Sequence, residues 1–162
     1  MRILSLVVYL SLALGTPYAY GTIPELTLKP LEPMPVHAFT TREIVDQLAA
    51  QHNVTTILDD DLSSEVFDGY LENLDPQKSY FLQSDIDSFE VFRHKIDNAL
   101  RKGDLTPAYT VWNIYHKRLI TRFEKLIATL EQGIDSLDLT ADESIDLDRS
   151  DNPWAKDEAE LD

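Results

Sequence analysis

The 162-residue chain has room for one modest domain. Its 43% hydrophobic and 27% charged residues suit a globular protein, its five glycines argue against a turn-rich β fold, and the absence of cysteine excludes disulfides, thiolate metal sites and a cysteine nucleophile. A net charge of -15, from 29 acidic and 14 basic residues, repels nucleic acid and anionic lipid.

The chain opens on Arg2, an apolar run from Ile3 to Leu14, and the small-x-small triplet Ala19-Tyr20-Gly21. Those are the three parts of a secretory signal peptide, predicted over residues 1–21 with cleavage near Ala19 or Gly21. The run is short for a membrane span, and no cysteine follows it to carry a lipid anchor. Residues 22–38 read as an extended linker, because Pro24, Pro30, Pro33 and Pro35 disfavour helix.

The helical domain is predicted over residues 39–133. Thr40 and Glu43 have capping-box spacing, with Phe39 and Ile44 placed as a hydrophobic staple. Ile44, Val45, Leu48 and Ala49 then share a face of the first helix. Asp59-Asp60-Asp61 suits the positive end of a second helix, with Leu62, Val66, Phe67, Tyr70, Leu71 and Leu74 as its stripe and Asp75-Pro76 as its stop. Ser84, with Asp87 three residues on, is placed to cap a third helix. Its apolar positions are Ile86, Phe89, Phe92, Ile96, Ala99 and Leu100, and Arg101-Lys102-Gly103 ends it. The fourth helix starts around Pro107 and keeps its period through Val111, Trp112, Tyr115, Leu119, Phe123, Leu126, Ile127 and Leu130 to Gly133. Four amphipathic helices with short connectors imply an all-α bundle.

Residues 134–162 read as an acidic, partly ordered tail, in which Arg149 and Lys156 are the only cations. Ala155 to Asp162 looks like a helix start, with Asp151 or Asn152 as its cap and Pro153-Trp154 in its first turn. Two partners suit the tail. One is a basic surface around Arg93, Lys95, Arg118 and Arg122. The other, preferred because Trp154 sits beside a helix start, is protein beyond this chain.

Little in the sequence carries chemistry. His37, His52, His94 and His116 form no zinc-binding pair, and there is no G-x-S-x-G elbow or phosphate-binding glycine loop. Asp146-x-Asp148-x-Ser150 lacks the glycine and glutamate of a calcium loop, which puts Asp151 and Asp157 in those places. Tyr70, Tyr80, Phe81, Tyr109, Trp112 and Tyr115 fit a core better than a ligand platform. Asn53-Val54-Thr55 is a glycosylation sequon only in a eukaryotic secretory pathway. No catalytic, cofactor-binding or metal-binding residue is assigned.

Two stretches carry a resemblance. One is Val66-Phe67-Asp68-Gly69-Tyr70-Leu71-Glu72-Asn73-Leu74-Asp75-Pro76, followed by Tyr80-Phe81-Leu82-Gln83-Ser84-Asp85-Ile86. The other is Asp146-Leu147-Asp148-Arg149-Ser150, followed by Pro153-Trp154-Ala155-Lys156-Asp157-Glu158-Ala159-Glu160-Leu161. Both resemble the N-terminal domain of bacterial tail-specific proteases, the carboxy-terminal processing peptidases, over about Leu31 to Asp162. The resemblance implies a periplasmic serine endopeptidase in which a PDZ domain and a Ser/Lys protease domain follow the helical one. Those modules lie outside these residues, so the resemblance supplies no catalytic residue here and implies no peptidase activity from this chain alone. The implied role is to support or dock the downstream domains, and to meet protein substrates or an adaptor. The alternative is a free-standing exported helical binding protein, and an open frame continuing past codon 162 into a PDZ-like segment separates the two.

Overall fold

Helices form where the apolar spacing predicts them, and polar side chains mark most of their starts. The computed structural model describes residues 29–51, 58–133, 140, 144 and 147–161. In chain order these form α1 (Pro35–Gln51), α2 (Asp60–Leu74), α3 (Gln83–Phe89), a 3-10 turn (Glu90–Phe92), α4 (Ile96–Lys102), α5 (Thr106–Glu131) and α6 (Glu158–Leu161). Among the described residues there is no strand, only one isolated parallel bridge between Leu82 and Ala155. The fold is all-α, as the periodicity implies. The proposed signal peptide and the sequon at Asn53 lie outside the described residues.

The first helix begins earlier than its capping signal suggests. Pro35 occupies the first turn of α1, where a missing N–H costs nothing. Thr40 and Glu43 therefore lie inside the helix and form no capping box. Residues 35–38, read as linker, are helical because contacts with α5 fix them. His37 Nδ1 accepts from the Met34 N–H at 3.2 Å and lies 2.8 Å from the Tyr109 hydroxyl. The Asn113 amide exchanges two hydrogen bonds with the Leu31 backbone, at 2.8 and 2.9 Å.

α1 then packs on α4 through a glycine. Gly103 ends α4 at φ 71°, a left-handed conformation that suits glycine. A Cβ there would also run into the Ala38 carbonyl. Arg42 donates to the Lys102 carbonyl at 3.1 Å beside this contact. Further along, Ile44 and Leu48 remain about half exposed and Ala49 is exposed, so most of the face expected to turn inward is open.

α2 has the predicted ends. Asp59 caps it by accepting from the Leu62 N–H at 3.0 Å. At the other end Asp75, almost fully buried, does more than stop the helix. Its Oδ1 accepts from the Ser79 N–H at 2.7 Å, and its Oδ2 accepts from the N–H groups of Tyr80 and Phe81, both at 2.9 Å. These bonds curl residues 76–81 around one carboxylate and aim Phe81 into the core.

The expected third helix is two. α3 starts one residue before Ser84, and its cap is Asp85, whose Oδ2 accepts from the Leu82 N–H at 3.0 Å. Ser84 and Asp87 do not make the predicted box. The apolar stripe continues through Phe92 and Ile96 into α4, but the helix breaks at residues 93–95. The break is explained by a cap from another helix. Ser63 on α2 accepts from the Asp97 N–H at 2.8 Å and donates to Asp97 Oδ1 at 3.2 Å. Both residues are buried, and Arg101 neutralises Asp97 at 2.8 Å.

α5 runs as predicted from the turn holding Pro107 to just before Gly133. Val111 lies in the main core with Phe67, Leu71, Phe81, Ile86 and Phe89, while Ile114 and Tyr115 pack against it. Phe81 meets Phe89 edge-on at 5.5 Å and Tyr115 in a tilted contact at 5.7 Å.

Asp75→Ala leaves three N–H groups without their acceptor and should destabilise the domain by about 3 kcal/mol. Asp75→Asn, which can still accept at one oxygen, should recover part of the loss. Urea unfolding checks both; an unchanged midpoint for the alanine variant would mean that the turn is held by its side-chain packing instead. A second outcome concerns alkali. Burial pushes the hydroxyls of Tyr70 and Tyr115 above their ordinary pKa of 10.0, with Tyr109 adding at Tyr70 and Tyr80 and Asp75 at Tyr115. The folded state therefore holds these protons more tightly than the unfolded chain. Its advantage is complete below pH 10.0 and is lost as pH rises through the raised values. Melting temperature should fall above pH 10.0, and less steeply in Tyr115→Phe.

Candidate functional site

A set of long-range polar contacts joins residues 149–161 to the turn before α3 and to the middle of α5. Three features hold this strap. Its backbone pairs with the α3 start, where Ala155 bridges Leu82 and its carbonyl accepts from the Gln83 N–H at 2.7 Å. Trp154 stands edge-on to Phe81 at 6.0 Å, with the Lys78 ammonium 5.5 Å over its ring. That ammonium also donates to the Asn152 carbonyl at 2.6 Å, and the Arg149 N–H donates to the Gln77 side chain at 2.8 Å.

Arg118 is the centre of the charge pattern. Its guanidinium grips Asp85 at 2.8 and 3.1 Å and reaches Glu158 at 3.1 Å. Asp85 thus caps α3 and anchors Arg118 with one carboxylate. Hydrogen bonding to Asp85 raises the Arg118 pKa further above its ordinary value. One turn on, Arg122 donates to the Leu161 carbonyl at 2.7 Å. Leu161 is buried and joins Leu82 and Ala155 in a second small core.

This arrangement corrects the preferred reading of the tail. Trp154 packs on this domain's own core rather than awaiting outside protein, and the acidic segment meets Arg118 and Arg122, the other partner considered. The terminal helix is also shorter than expected. Ala155 is committed to the bridge, so α6 begins at Glu158, with Asp157 Oδ1 accepting from the N–H groups of Ala159 and Glu160 at 3.0 and 3.2 Å. Elsewhere the basic cluster divides. Arg93 lies 4.5 Å over the Phe67 ring and bonds Glu90 and Asp68 at 2.7 and 2.8 Å, and its hydrogen bonds lower the Glu90 pKa. Arg101 binds Asp97 and the Leu58 carbonyl.

Among the described residues, the remaining candidates do not converge on a reaction centre. His94 Nδ1 lies 3.3 Å from the Asp60 carbonyl, and His116 stacks on Trp112 at 6.2 Å. His52 and Asp146 lie outside the described residues. Asp148 Oδ1 accepts from the N–H and the hydroxyl of Ser150 at 3.2 and 2.7 Å. Among the described residues no group of three His, Cys, Asp or Glu side chains could hold a metal ion. No helix among them is long and apolar enough to cross a membrane. Trp112 Nε1 is buried with no hydrogen-bond partner among the described residues.

The class follows from these features: a helical module that clasps its own downstream segment, with its buried carboxylates engaged in structural contacts. Residues 44–162 match the model of the tail specific protease N-terminal domain, and the chain belongs to that family. It is 34% identical over 110 residues to the tail-specific protease of Haemophilus influenzae, a match covering 67% of this chain and 15% of that protein. The two stretches that carried the resemblance in the sequence lie against each other in the fold, through Phe81 and Trp154 and through Leu82 and Ala155.

Arg118→Ala leaves the mostly buried Asp85 without its cation and frees Glu158. The domain should lose about 2 kcal/mol, below the range for a fully buried pair because Arg118 is partly exposed. Hydrogen exchange should accelerate over 149–161 while the α2–α4 contact at Ser63 and Asp97 stays protected. Unchanged exchange over the strap would show that Trp154 and Leu161 hold it without the charges.

Proposed function

We propose that this chain is the non-catalytic helical part of an exported, periplasmic tail-specific serine endopeptidase. In that reading it supports or docks the PDZ and protease domains that follow it. Family membership supports the assignment, and the matched relative extends far beyond the shared region. The observation that carries the docking role is on α5. Phe123, Leu126 and Leu130 follow one another at helical spacing and are 49%, 49% and 61% exposed. A row of large apolar side chains left in water on the longest helix is suited to bury against further protein.

The signal-peptide pattern in residues 1–21 supports export. The non-catalytic part rests on chemistry. A serine hydrolase needs a nucleophile, a base and an oxyanion site within reach of one another, and the family resemblance puts these in the later domain. The test compares this chain with the longer polypeptide carrying the following domains in frame. Methyl groups of Leu126 and Leu130 should be accessible to a soluble paramagnetic probe in the first and shielded in the second. The first should cleave no unstructured substrate, and the second should cleave. Cleavage by the purified short chain, or equal accessibility in both, would overturn the reading.

A further inference from the structure

A second feature lies apart from the α5 row. Between α2, α4 and α5 is a cavity of about 180 Å³. Val66 and Tyr70 wall it from α2, Ala99 and Leu100 from α4, and Ala108 and Val111 from α5. The space exists because Ala99 and Ala108 are small where three helices converge. Its surface is almost entirely carbon. The one hydroxyl nearby, on Tyr70, already donates to the Ala108 carbonyl at 3.1 Å. A polar group entering would lose its water and gain no partner. An apolar void of about 150 Å³ stays dry and takes up a benzene-sized ring.

The opening is chemically different from the interior. Val66 is 40% exposed and Asp104 is exposed, and both line the cavity. Asp104 Oδ1 accepts from the Thr106 N–H at 2.9 Å. Hydrogen bonds from Thr106 hold this carboxyl below its ordinary range, so it is charged at neutral pH. The Lys102 ammonium also acts on this carboxylate and offsets part of its field, but of the two only Asp104 lines the pocket, and a negative charge there disfavours an anion and favours a cation.

We propose that this cavity is a binding site for a single apolar ring or branched alkyl group whose outer end is neutral or cationic, and that it rejects carboxylates. The occupant that fits is a small aromatic amine. A free C-terminal residue, whose carboxylate must follow its side chain to the mouth, is the wrong ligand. The site stands independently of the docking role of α5.

The test uses the full 162-residue chain with labelled Ile, Leu and Val methyls, titrated with indole, tryptamine and indole-3-propionate. Indole and tryptamine should shift the Leu100 and Val111 methyls saturably, with indole-3-propionate weaker by about tenfold. Ala99→Leu fills the space and should weaken indole by about tenfold. Val66→Phe, which covers the mouth from an exposed position, should do the same if the core variant fails to fold. Asp104→Asn keeps an oxygen for the Thr106 N–H and should bring indole-3-propionate to within about threefold of indole. Absence of a saturable shift, equal binding by the filled or covered variants, or indole-3-propionate binding as tightly as tryptamine would overturn the proposal.

Discussion

The geometry of the domain depends on one buried carboxylate. Asp75 gathers the N–H groups of Ser79, Tyr80 and Phe81, so the chain leaving α2 turns at once instead of drifting into solvent. That turn puts Phe81 where α3, α5 and the strap all reach it, through Phe89, Tyr115 and Trp154. It also sets the backbone of Leu82, which bridges to Ala155 and donates to Asp85. Displacing the turn would move the pivot of both cores. A hydrophobic cluster alone would tolerate several arrangements of the helices, whereas three N–H donors converging on two oxygens admit few. The polar groups therefore specify the arrangement, and the aromatic burial supplies most of the driving force.

A second carboxylate extends this control over distance in sequence. Asp85 ties the α3 start to Arg118, and Arg118 reaches Glu158 on the strap. The three residues form a relay from the turn through α5 to the end of the described chain. Its inner part is shielded, with Arg118 and Asp85 side chains 25% and 12% exposed, while Glu158 is 60% exposed. Salt should therefore weaken the outer link and leave the inner one nearly intact. The strap can loosen at α6 without releasing Trp154, since the tryptophan is held by apolar contact and by Lys78.

The helices were legible in the sequence because their stripes repeat with the helical period and their stops are local. Asp59, Gly103 and Gly133 mark ends by chemistry confined to a few residues. What local reading could not reach was any end set from another element. Pro35 opens α1 because Tyr109 and Asn113 hold the turn in place. The break before Ile96 exists because Ser63 caps it from 34 residues away. Thr40 with Glu43, and Ser84 with Asp87, satisfy the local capping rule, but tertiary contacts decide the starts. The strap's contact with the basic surface ranks second in the sequence reading, for a related reason. Its charge opposes compaction when counted alone, yet Arg118 and Arg122 meet it on a helix whose basic residues the sequence already displayed. A signal was available: Asp85 sits three residues after Leu82, in position to cap, and Arg118 lies in a helix that must cross α3.

The distribution of what is buried and what is left open is uneven in a way that bears on how the module is used. Its buried hydroxyl and carboxylates are satisfied, since Ser63, Asp75, Asp85 and Asp97 all have specific partners, while Trp112 Nε1 is left without one among the described residues. Its apolar surface is not so finished. Ile44 and Leu48 on α1 and Phe123, Leu126 and Leu130 on α5 remain about half exposed. Burying polar groups without partners costs more than leaving a few apolar ones wet, so a folded module must complete the first but can defer the second. A domain whose buried carboxylates are partnered internally holds its shape on its own. On the proposed docking role, its exposed rows would meet a neighbour as rigid faces, and association would not bear the entropy of ordering the helices that carry them.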